Sequence, residues 1–593
     1  MALAIGNNQQ RFTFRMIGAA SRADRIRITA EWVSEQFEQF YREFLETPYQ
    51  AKAAFEQQHH GTSIWLSRHR LSLYSDYIHR MGAYLKAVQP NISFDVEFLN
   101  ELEALFWQMV EDRYESDVAY AFMHSIRRRV YRDEWKPVEY TFWESADSVQ
   151  KFPVELLRHY DVEGEIEATL IEAILQLPDF AVPYADRAAD ARLIATRINR
   201  FVRRRDANVV QVEMFDAGFY RNRGAYLVGR IRFADGAWTP LIIALLNDDS
   251  GIYCDAVILD EHLVHNLFSS TLANFHVTTR YYHELSAYLH SLLPHRALGL
   301  HYSTIGYNHV GKVAVIRELK QELADSGGVL DTAIGEAGTV AIGFAGPQSA
   351  YNLKVIRNRP TSGYKWGTFE GVDSVKAKYS RVHEINRTGS MLDNIIYFNI
   401  ALETSLFAAS LLDDLLTEAS DTVSVQGDNV VFKYLIVQPR MTPLPVFLAN
   451  AGEREVRVVI ESLGDCIKNN TAANIFNKDL DARNYGVSHF LKVYLFDYDA
   501  LEDLIDVKIR SNTDRFDGEE DIPDWYFEDG VIFLPEEIES GLCIREREHR
   551  QIFRELHGDL MTTAYWEKLQ HELSLNQVPA IKVYPDTCKL HRH

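Results

Sequence analysis

The sequence predicts an α+β protein in which a mainly helical N-terminal domain with an antiparallel sheet precedes a two-lobed C-terminal domain. Helical periodicity dominates the chain as far as residue 177, and an alternating, turn-rich stretch runs from residue 209 to residue 259. The second half is patterned as strands, a helix, strands, a connector and a helix. With 593 residues and 47% hydrophobic composition, the chain can form more than one core and is too long for a single compact domain.

Helices are predicted for most of the first part of the chain. Between Arg25 and Leu45, apolar residues recur every three or four positions, which is typical of an amphipathic helix. The same rhythm predicts helices in four further segments: 64–88, 94–128, 163–177 and 260–293. Residues 209–259 instead alternate between apolar and polar. Turn signals break this alternation at Arg223-Gly224, Asp235-Gly236 and Asp249-Ser250-Gly251. That stretch is therefore predicted to be an antiparallel meander.

The Gly327-Gly328 pair marks the predicted domain boundary, giving a first domain of residues 1–326 and a second of residues 327–593. We expect the lobes of the second domain to cover about 327–440 and 441–593. The elements predicted for it, in order, are strands within 329–356, a long helix at 373–416, a strand at 429–438 and a helix at 455–470.

Composition excludes several classes of protein. The net charge is −22, and an acidic surface repels phosphate backbones, so we expect no nucleic-acid partner. The arginine runs at 127–129 and 203–205 are interpreted as solvated helix faces, with a phosphate or nucleotide-effector patch as the alternative. The four cysteines are far apart and form no C-x-x-C pair, which favours a reduced compartment. No signal-peptide core or bilayer-length apolar run is evident, so we expect a cytoplasmic protein without a membrane partner.

Three polar residues near residue 480 carry the strongest chemical signal. Asp479 and Asn484 stand in the order D-x4-N, and an apolar run leads to Asp497. Protein-kinase-like enzymes use this spacing to bring a catalytic aspartate and two magnesium ligands to one ATP. The sequence departs from ordinary kinases at two places: Asn477-Lys478 replaces the usual His-Arg, and Asp497-Tyr498-Asp499 replaces Asp-Phe-Gly.

The preceding lobe supplies candidate groups for the nucleotide. Glycines at 335, 338, 343 and 346 would let backbone N–H groups approach phosphates, although the pattern is not G-x-G-x-x-G. Lys354 alternates with apolar residues on a predicted strand and could pair with phosphates, or could point to solvent from an edge strand. Two acidic residues, Glu384 and Asp393, are predicted on the following helix. Asp393 adjoins the apolar face, where Lys354 is its expected partner, and the alternative is an aspartate on the helix surface.

At this point the sequence resembles the bacterial isocitrate dehydrogenase kinase/phosphatase family. The resemblance runs from the N-terminal helices to near the C-terminus and is strongest after residue 300. The stretches that carry it are HYSTIGYNHVGK, YNLKVIRNRP, HEINRTGSMLDN, YLIVQPRMTPL, AANIFNKDLDARNYGV, FDYDALEDL and FRELHGDLMTTAYW.

The resemblance implies a bifunctional enzyme with a regulatory domain followed by a protein-kinase-like bilobal domain. Such an enzyme phosphorylates a serine of isocitrate dehydrogenase with ATP, removes the phosphate again, and also hydrolyses ATP. It thereby controls flux between the citric-acid cycle and the glyoxylate bypass. Both activities are implied to share one site that needs ATP or ADP and Mg²⁺. An AMP-type allosteric effector would bind between the domains and favour the phosphatase. A homodimer is compatible with the sequence.

The resemblance also assigns roles to residues of this chain. Asp393 and Asp479 would be catalytic, Lys354 would bind ATP, and Asn484 and Asp497 would bind the metal. Asp499 is a candidate for favouring the phosphatase direction. The acidic residue of the family's hinge strand is replaced here by Gln438. The nucleotide loop would consist of Thr332, Ala333, Ile334, Gly335, Glu336, Ala337 and Gly338.

Two rival functions and one loop complete these expectations. The D-x4-N logic also occurs in small-molecule kinases of the aminoglycoside-phosphotransferase type, but the large N-terminal domain speaks against that class. A non-catalytic pseudokinase scaffold would not need Lys354 and the three polar residues near residue 480.

Residues 510–533 follow Asp497 where kinases place an activation segment. They are interpreted either as a substrate-docking loop that uses Trp525 and Tyr526 or as a solvated acidic connection.

Overall fold

The computed structural model describes residues 2–19, 21–88, 94–130, 156–268, 275–333, 338–361, 369, 371–385, 388–498, 500–511 and 530–591. Asp499, most of the predicted nucleotide loop and most of the predicted docking loop lie outside these residues. Among the helices that are described, none is long and apolar enough to cross a membrane.

Helices build most of the first half of the chain. The long helix predicted from Arg25 is confirmed and is capped by Ser21, whose side chain accepts a hydrogen bond from the backbone N–H of Asp24. The segment predicted at 94–128 is two helices, and the one predicted at 260–293 is divided by a short strand. The helices are α1 (Ala2–Gly18), α2 (Arg22–Glu56), α3 (His60–Val88), α4 (Val96–Val110), α5 (Ser116–Val130), α6 (Ala168–Ile174), α7 (Arg187–Arg205), α8 (Glu261–Phe268), α9 (Tyr282–Leu292), α10 (Leu298–Thr304) and α11 (Asn308–Ser326).

A seven-stranded antiparallel sheet accompanies these helices. Strand β4 is central and pairs with β2, β3 and β5, while β1, β6 and β7 extend the sheet outward. The predicted meander is confirmed, and its turns at Gly236 and Gly251 use positive φ angles of 82° and 114° that favour glycine. The strands are β1 (Leu157–Asp161), β2 (Val209–Phe215), β3 (Phe219–Arg221), β4 (Gly224–Phe233), β5 (Trp238–Asp248), β6 (Gly251–Ile258) and β7 (His276–Val277).

The N-lobe of the second half is an antiparallel sheet of six strands with two helices. Its main path runs β11-β13-β10-β9-β8, and β12 pairs with β13. The strands are β8 (Asp331–Thr332), β9 (Ala341–Ala345), β10 (Tyr351–Ile356), β11 (Ile395–Glu403), β12 (Val423–Gln426) and β13 (Asn429–Pro439), and the helices are α12 (Val372–Ile385) and α13 (Ala409–Glu418).

The long helix predicted at 373–416 is wrong. Helix α12 ends at Ile385, and Gly389 has a left-handed φ of 69°, which an α-helix does not accommodate. The apolar run that follows becomes strand β11 and pairs along β13 from Ile395 to Glu403. By periodicity, a short apolar run fits a buried strand and a buried helix equally well. Here the run forms a strand because β13 has an edge along which it can pair.

The C-lobe is mainly helical, with short strands that carry its loops. The helix predicted at 455–470 is confirmed as α15. The helices are α14 (Leu444–Leu448), α15 (Glu453–Ala472), α16 (Ile538–Gly541), α17 (Arg547–His557) and α18 (Thr563–Ser574). The strands are β14 (Thr442–Pro443), β15 (Ile475–Asn477), β16 (Tyr485–Val487), β17 (Val493–Leu495), β18 (Leu501–Asp503), β19 (Lys508–Ile509) and β20 (Ile532–Phe533).

Helix α11 joins the two halves of the molecule. Val310 and Ala314 belong to the large core of the first half, whereas Val315 and Leu319 pack into the core of the N-lobe sheet. One helix thus buries apolar side chains on both sides of the predicted boundary, so a shift of either half relative to α11 would expose apolar surface.

Candidate active site

A hairpin in the C-lobe brings two of the three polar residues near residue 480 together. Strands β16 and β17 pair antiparallel with Tyr485 opposite Leu495. Asn484 and Phe496 therefore sit across from each other at the open end, where the N–H of Phe496 donates to the carbonyl oxygen of Asn484 at 3.0 Å. Asp497 follows directly and is exposed. The spacing of twelve intervening residues is the length of this hairpin.

The catalytic candidate Asp479 lies on the loop after β15, and two asparagines fix that loop. Asn484 Nδ2 donates to the carbonyl oxygen of Asp479 at 2.9 Å, and Asn477 Nδ2 donates to the same oxygen at 2.7 Å. In return, the N–H of Asp479 donates to Asn477 Oδ1 at 3.1 Å. Since these bonds use the backbone of Asp479, they leave its half-buried carboxylate outside the set of contacts that hold the loop.

The unusual Asn477-Lys478 pair now has a structural explanation. Asn477 is buried and closes the reciprocal pair of hydrogen bonds with Asp479, a role that needs both an amide donor and an amide acceptor. Lys478 turns the other way and forms an ion pair of 2.8 Å with Glu502 on the partner strand β18. The sequence showed this departure from ordinary kinases but contained no signal for its purpose.

Lys354 projects from an interior strand toward the C-lobe hairpin. Strand β10 pairs on one side with β9 and on the other with β13, so the alternative of a solvent-facing edge strand is wrong. The Lys354 ammonium lies 5.4 Å from the ring centre of Phe496 and 5.9 Å from that of Tyr379 on α12. Lys354 is thereby placed beside the residue that precedes Asp497.

The nucleotide loop is described only at its ends. Thr332 lies on β8, and the N–H of Ala333 donates to the carbonyl oxygen of Gly343, which is the residue opposite Lys354 in the sheet. A Cβ at Gly338 would lie 2.6 Å from the carbonyl oxygen of Ala341, so glycine is needed there for the backbone to turn back. The hairpin therefore returns next to Lys354. Residues 334–337, namely Ile334, Gly335, Glu336 and Ala337, lie outside the described part of the chain.

Asp393 occupies a buried place that differs from the predicted one. It is not on a helix but in the segment between α12 and β11, with 3% of its surface exposed. Its Oδ1 lies 3.7 Å from His383 Nε2 and accepts from the N–H of Asn394 at 3.2 Å. Burial lowers the pKa of His383 to about 4, so the imidazole is neutral near pH 7. The side chain of Glu384 lies outside the described residues.

The tip of the C-lobe hairpin docks on helix α8 of the first half. Phe490 stacks on His265 with ring centres 3.7 Å apart. Lys492 Nζ donates to the carbonyl oxygen of Asn266 at 3.0 Å, and Asn266 Nδ2 donates to that of Phe490 at 3.4 Å. The hairpin that spaces Asn484 and Asp497 is thus in direct contact with the N-terminal domain.

We expect Lys492 to make the stability of this joint depend on pH. Burial, assisted by the charge of Arg221, lowers the pKa of Lys492 from 10.5 to about 7. Between these values the unfolded chain binds a proton that the folded protein does not, so stability should rise with pH by about 1.4 kcal/mol per pH unit over this window. Lys492→Met should remove this slope, whereas the exposed Lys568→Met should not. Melting temperatures of the three proteins from pH 7 to pH 10 would test this, and parallel curves would contradict it.

Several residues that shape the site carry little or no signal in the sequence. Asn477 was seen only as a departure, and Tyr498 only as part of an altered motif. Phe490 and Lys492 lie between two strands and carry no motif. The available signal was their position within the segment that connects Asn484 to Asp497. We expect the tip of a hairpin of that length to pack against another part of the protein.

A strand-rich lobe that carries Lys354, followed by a mainly helical lobe that carries Asp479, Asn484 and Asp497, places the second half of the molecule in the class of protein-kinase-like folds. Two family models match consecutive parts of the chain. A model described as "Isocitrate dehydrogenase kinase/phosphatase (AceK), regulatory domain" matches residues 30–327. A second, described as "Isocitrate dehydrogenase kinase/phosphatase (AceK) kinase domain", matches residues 329–586. The chain belongs to the isocitrate dehydrogenase kinase/phosphatase family.

Curated relatives match along nearly the whole chain. Isocitrate dehydrogenase kinase/phosphatase of Rhodopseudomonas palustris (strain HaA2) is 43% identical over 577 residues, which cover 96% of this chain and 94% of that protein. The protein of the same name from strain TIE-1 is 44% identical over 96% of this chain and 93% of its own length. The one from Anaeromyxobacter sp. (strain Fw109-5) is 29% identical over 93% of this chain and 96% of its own length.

Proposed function

We propose that this protein transfers the γ-phosphoryl group of ATP to a serine of isocitrate dehydrogenase and removes that phosphate again at the same site. The observation that carries the proposal is that Asn484 and Asp497 lie at the open end of one hairpin, that Asn484 also holds the loop of Asp479, and that Lys354 lies beside Phe496. Membership of the family and the names of the relatives support the choice of substrate.

In the kinase direction, the serine hydroxyl attacks the γ-phosphorus while the bond from that phosphorus to the β-phosphate oxygen breaks and ADP leaves. Asp479 accepts the hydroxyl proton, and the three backbone hydrogen bonds around residue 479 keep its carboxylate in place. Lys354 would pair with the phosphates, and the loop Thr332–Gly338 is proposed to bind them through backbone N–H groups.

The residues present fit a magnesium ion, which ATP-dependent transfer requires. The side-chain amide of Asn484 donates to the carbonyl oxygen of Asp479, and in this orientation its Oδ1 can serve as an oxygen ligand for Mg²⁺. Asp497 offers an exposed carboxylate at the same end of the hairpin. Asn484 and Asp497 would hold the ion together with phosphate oxygens. When bound, Mg²⁺ would neutralise negative charge on the phosphates.

In the phosphatase direction, we propose that ADP stays bound and Asp479 orients a water molecule toward the phosphoserine. The water oxygen bonds to phosphorus while a water proton passes to Asp479, the bond from phosphorus to the serine oxygen breaks, that oxygen takes up a proton to restore the serine hydroxyl, and inorganic phosphate is released. The same use of water with ATP would give the ATPase activity. Asp393, buried beside this region, is proposed as a second catalytic residue, and Asp499 as a residue that favours the phosphatase direction.

Regulation is proposed to act across the joint between the domains. Residues 1–326 would form the regulatory domain and residues 327–593 the catalytic domain, with an AMP-type effector bound between them. The docking of Phe490 and Lys492 on α8 supports this arrangement, since it gives the first domain a direct hold on the catalytic hairpin. Through this control the cell would divide flux between the citric-acid cycle and the glyoxylate bypass. We also propose a cytoplasmic location and a homodimer.

One assay tests the proposal. The protein is incubated with γ-labelled ATP and purified isocitrate dehydrogenase, and excess ADP with AMP is then added. We expect label to enter isocitrate dehydrogenase and to be released as inorganic phosphate after the addition. Absence of transfer to isocitrate dehydrogenase would overturn the proposal, and transfer without release would overturn its phosphatase part.

A further inference from the structure

We propose that Tyr498 is a positioning residue that holds the metal-ligand candidate Asp497, through hydrogen bonds that connect Gln438, Tyr498 and Leu392. The inference rests on the proposed function, because it concerns the metal that phosphoryl transfer needs. It assigns a purpose to the tyrosine that stands where ordinary kinases have phenylalanine.

Tyr498 is fastened at three points although its neighbour Asp497 is exposed. Its hydroxyl donates to the carbonyl oxygen of Leu392 and accepts from Gln438 Nε2 at 3.2 Å. Its ring packs edge to face against Tyr379 of helix α12 at 5.3 Å between ring centres. Only 4% of the Tyr498 surface is exposed. The side chain therefore connects the segment after β17 to strand β13, to the segment that precedes β11, and to α12.

The phenol hydroxyl is needed for this arrangement because it acts as a donor to one partner and as an acceptor from the other. The carbonyl oxygen of Leu392 can only accept, so it takes the hydroxyl proton. Gln438 Nε2 can only donate, so it takes a lone pair. Gln438 has 1% of its surface exposed, and a polar group so deeply buried is stabilised mainly by its hydrogen bonds. A phenylalanine at residue 498 would leave both partners unsatisfied.

The identity of Gln438 fits the same scheme. An ionised glutamate at this position would have no hydrogen to donate and would compete with Leu392 for the hydroxyl proton. The amide instead completes the chain of bonds. Because Asp497 and Tyr498 are adjacent, fixing the ring and hydroxyl of Tyr498 restricts the backbone that carries the Asp497 carboxylate. Groups that orient a metal ligand in this way commonly change metal affinity by about 10–100-fold when removed.

The test measures binding rather than turnover. Titration calorimetry gives the affinity for ADP in Mg²⁺ and in EDTA, for the full-length protein and for Tyr498→Phe. We expect Tyr498→Phe to lose about 10–100-fold of the affinity gain that Mg²⁺ provides and to keep its affinity in EDTA. The matched control is Tyr434→Phe, which removes a buried tyrosine hydroxyl of the N-lobe that accepts from the N–H of Ile356 at 3.3 Å. This control should leave both affinities unchanged.

Each outcome of this experiment either supports or overturns the role proposed for Tyr498. An undiminished Mg²⁺ effect in Tyr498→Phe, or an equal loss of affinity in Mg²⁺ and in EDTA, would mean that Tyr498 is only a core aromatic. If Tyr498→Phe does not fold, Gln438→Met removes the donor alone, and an unchanged Mg²⁺ effect there would overturn the inference. A wild-type protein that gains no ADP affinity from Mg²⁺ would overturn the proposed function and the inference together, whereas a gain that the variants keep would overturn the inference alone.

Discussion

Replacing Asp479 by asparagine is expected to slow phosphoryl transfer to isocitrate dehydrogenase by about 10²–10⁴-fold without unfolding the protein. Asparagine cannot accept the serine proton, so the loss falls on the chemical step. The loop should stay in place, because the bonds from Asn477 and Asn484 reach the backbone of residue 479 and not its side chain. The measurements are the initial rate of label transfer at saturating ATP and the melting temperature.

The control and the reverse reaction make this prediction specific. Asp503→Asn removes an exposed carboxylate of the same lobe whose ion pair with Arg381 is 3.3 Å long, and such pairs contribute little to stability. It should change neither rate nor melting temperature. Asp479→Asn should also slow release of phosphate from phosphorylated isocitrate dehydrogenase. A variant that lost the kinase and kept the phosphatase would show that the two reactions use separate machinery.

The parts of the site that could be predicted from the sequence are those set by short-range geometry. Asn484 and Asp497 lie at the same end of the hairpin because its length fixes their spacing. Lys354 points toward Phe496 because strand residues alternate between the two faces of a sheet. The meander of the first half was predictable for the same reason, since glycine turns at Gly236 and Gly251 fix where its strands reverse.

Asp393 was misplaced because its surroundings are decided by pairing between distant strands. The residues after it form an apolar run that helix and strand accommodate equally well, and the choice depends on the free edge of β13, which lies about thirty residues further along the chain. Propensity within a short window contains no information about that edge. The predicted helix therefore continued through a segment that the tertiary structure requires as a strand.

Contacts between the domains were not predictable at all. Phe490 stacks on His265, and Arg221 donates to the carbonyl oxygen of Thr388, which lies 167 residues further along the chain. Arg221 is buried, and nothing in its local sequence assigns an arginine on a strand to a distant loop carbonyl. These contacts form only after both domains have folded and their surfaces pack together. The local sequence of one domain contains no information about the surface of the other.

The largest loss of stability is expected from Trp566→Ala, by about 3–5 kcal/mol. Trp566 is fully buried in the C-lobe core, with ring centres 4.7 Å from Phe533 and 5.9 Å from Phe476. Its Nε1–H donates to the carbonyl oxygen of Leu560 at 2.8 Å. Alanine would leave a cavity and an unsatisfied carbonyl. Phe476 directly precedes Asn477, so we expect the change to loosen the Asp479 loop and to weaken ADP binding as well.

The location of this loss distinguishes a C-lobe effect from general unfolding. The core around Trp566 shares no residue with the cores of the N-terminal domain, so hydrogen exchange should accelerate around residues 475–485 and stay slow in β4 and β5. Trp566→Phe keeps most of the volume and loses the donor, so urea unfolding of the C-lobe should show a smaller loss of about 1–3 kcal/mol. Equal acceleration of exchange in both domains would mean that the joint through α8 and α11 couples them into one cooperative unit.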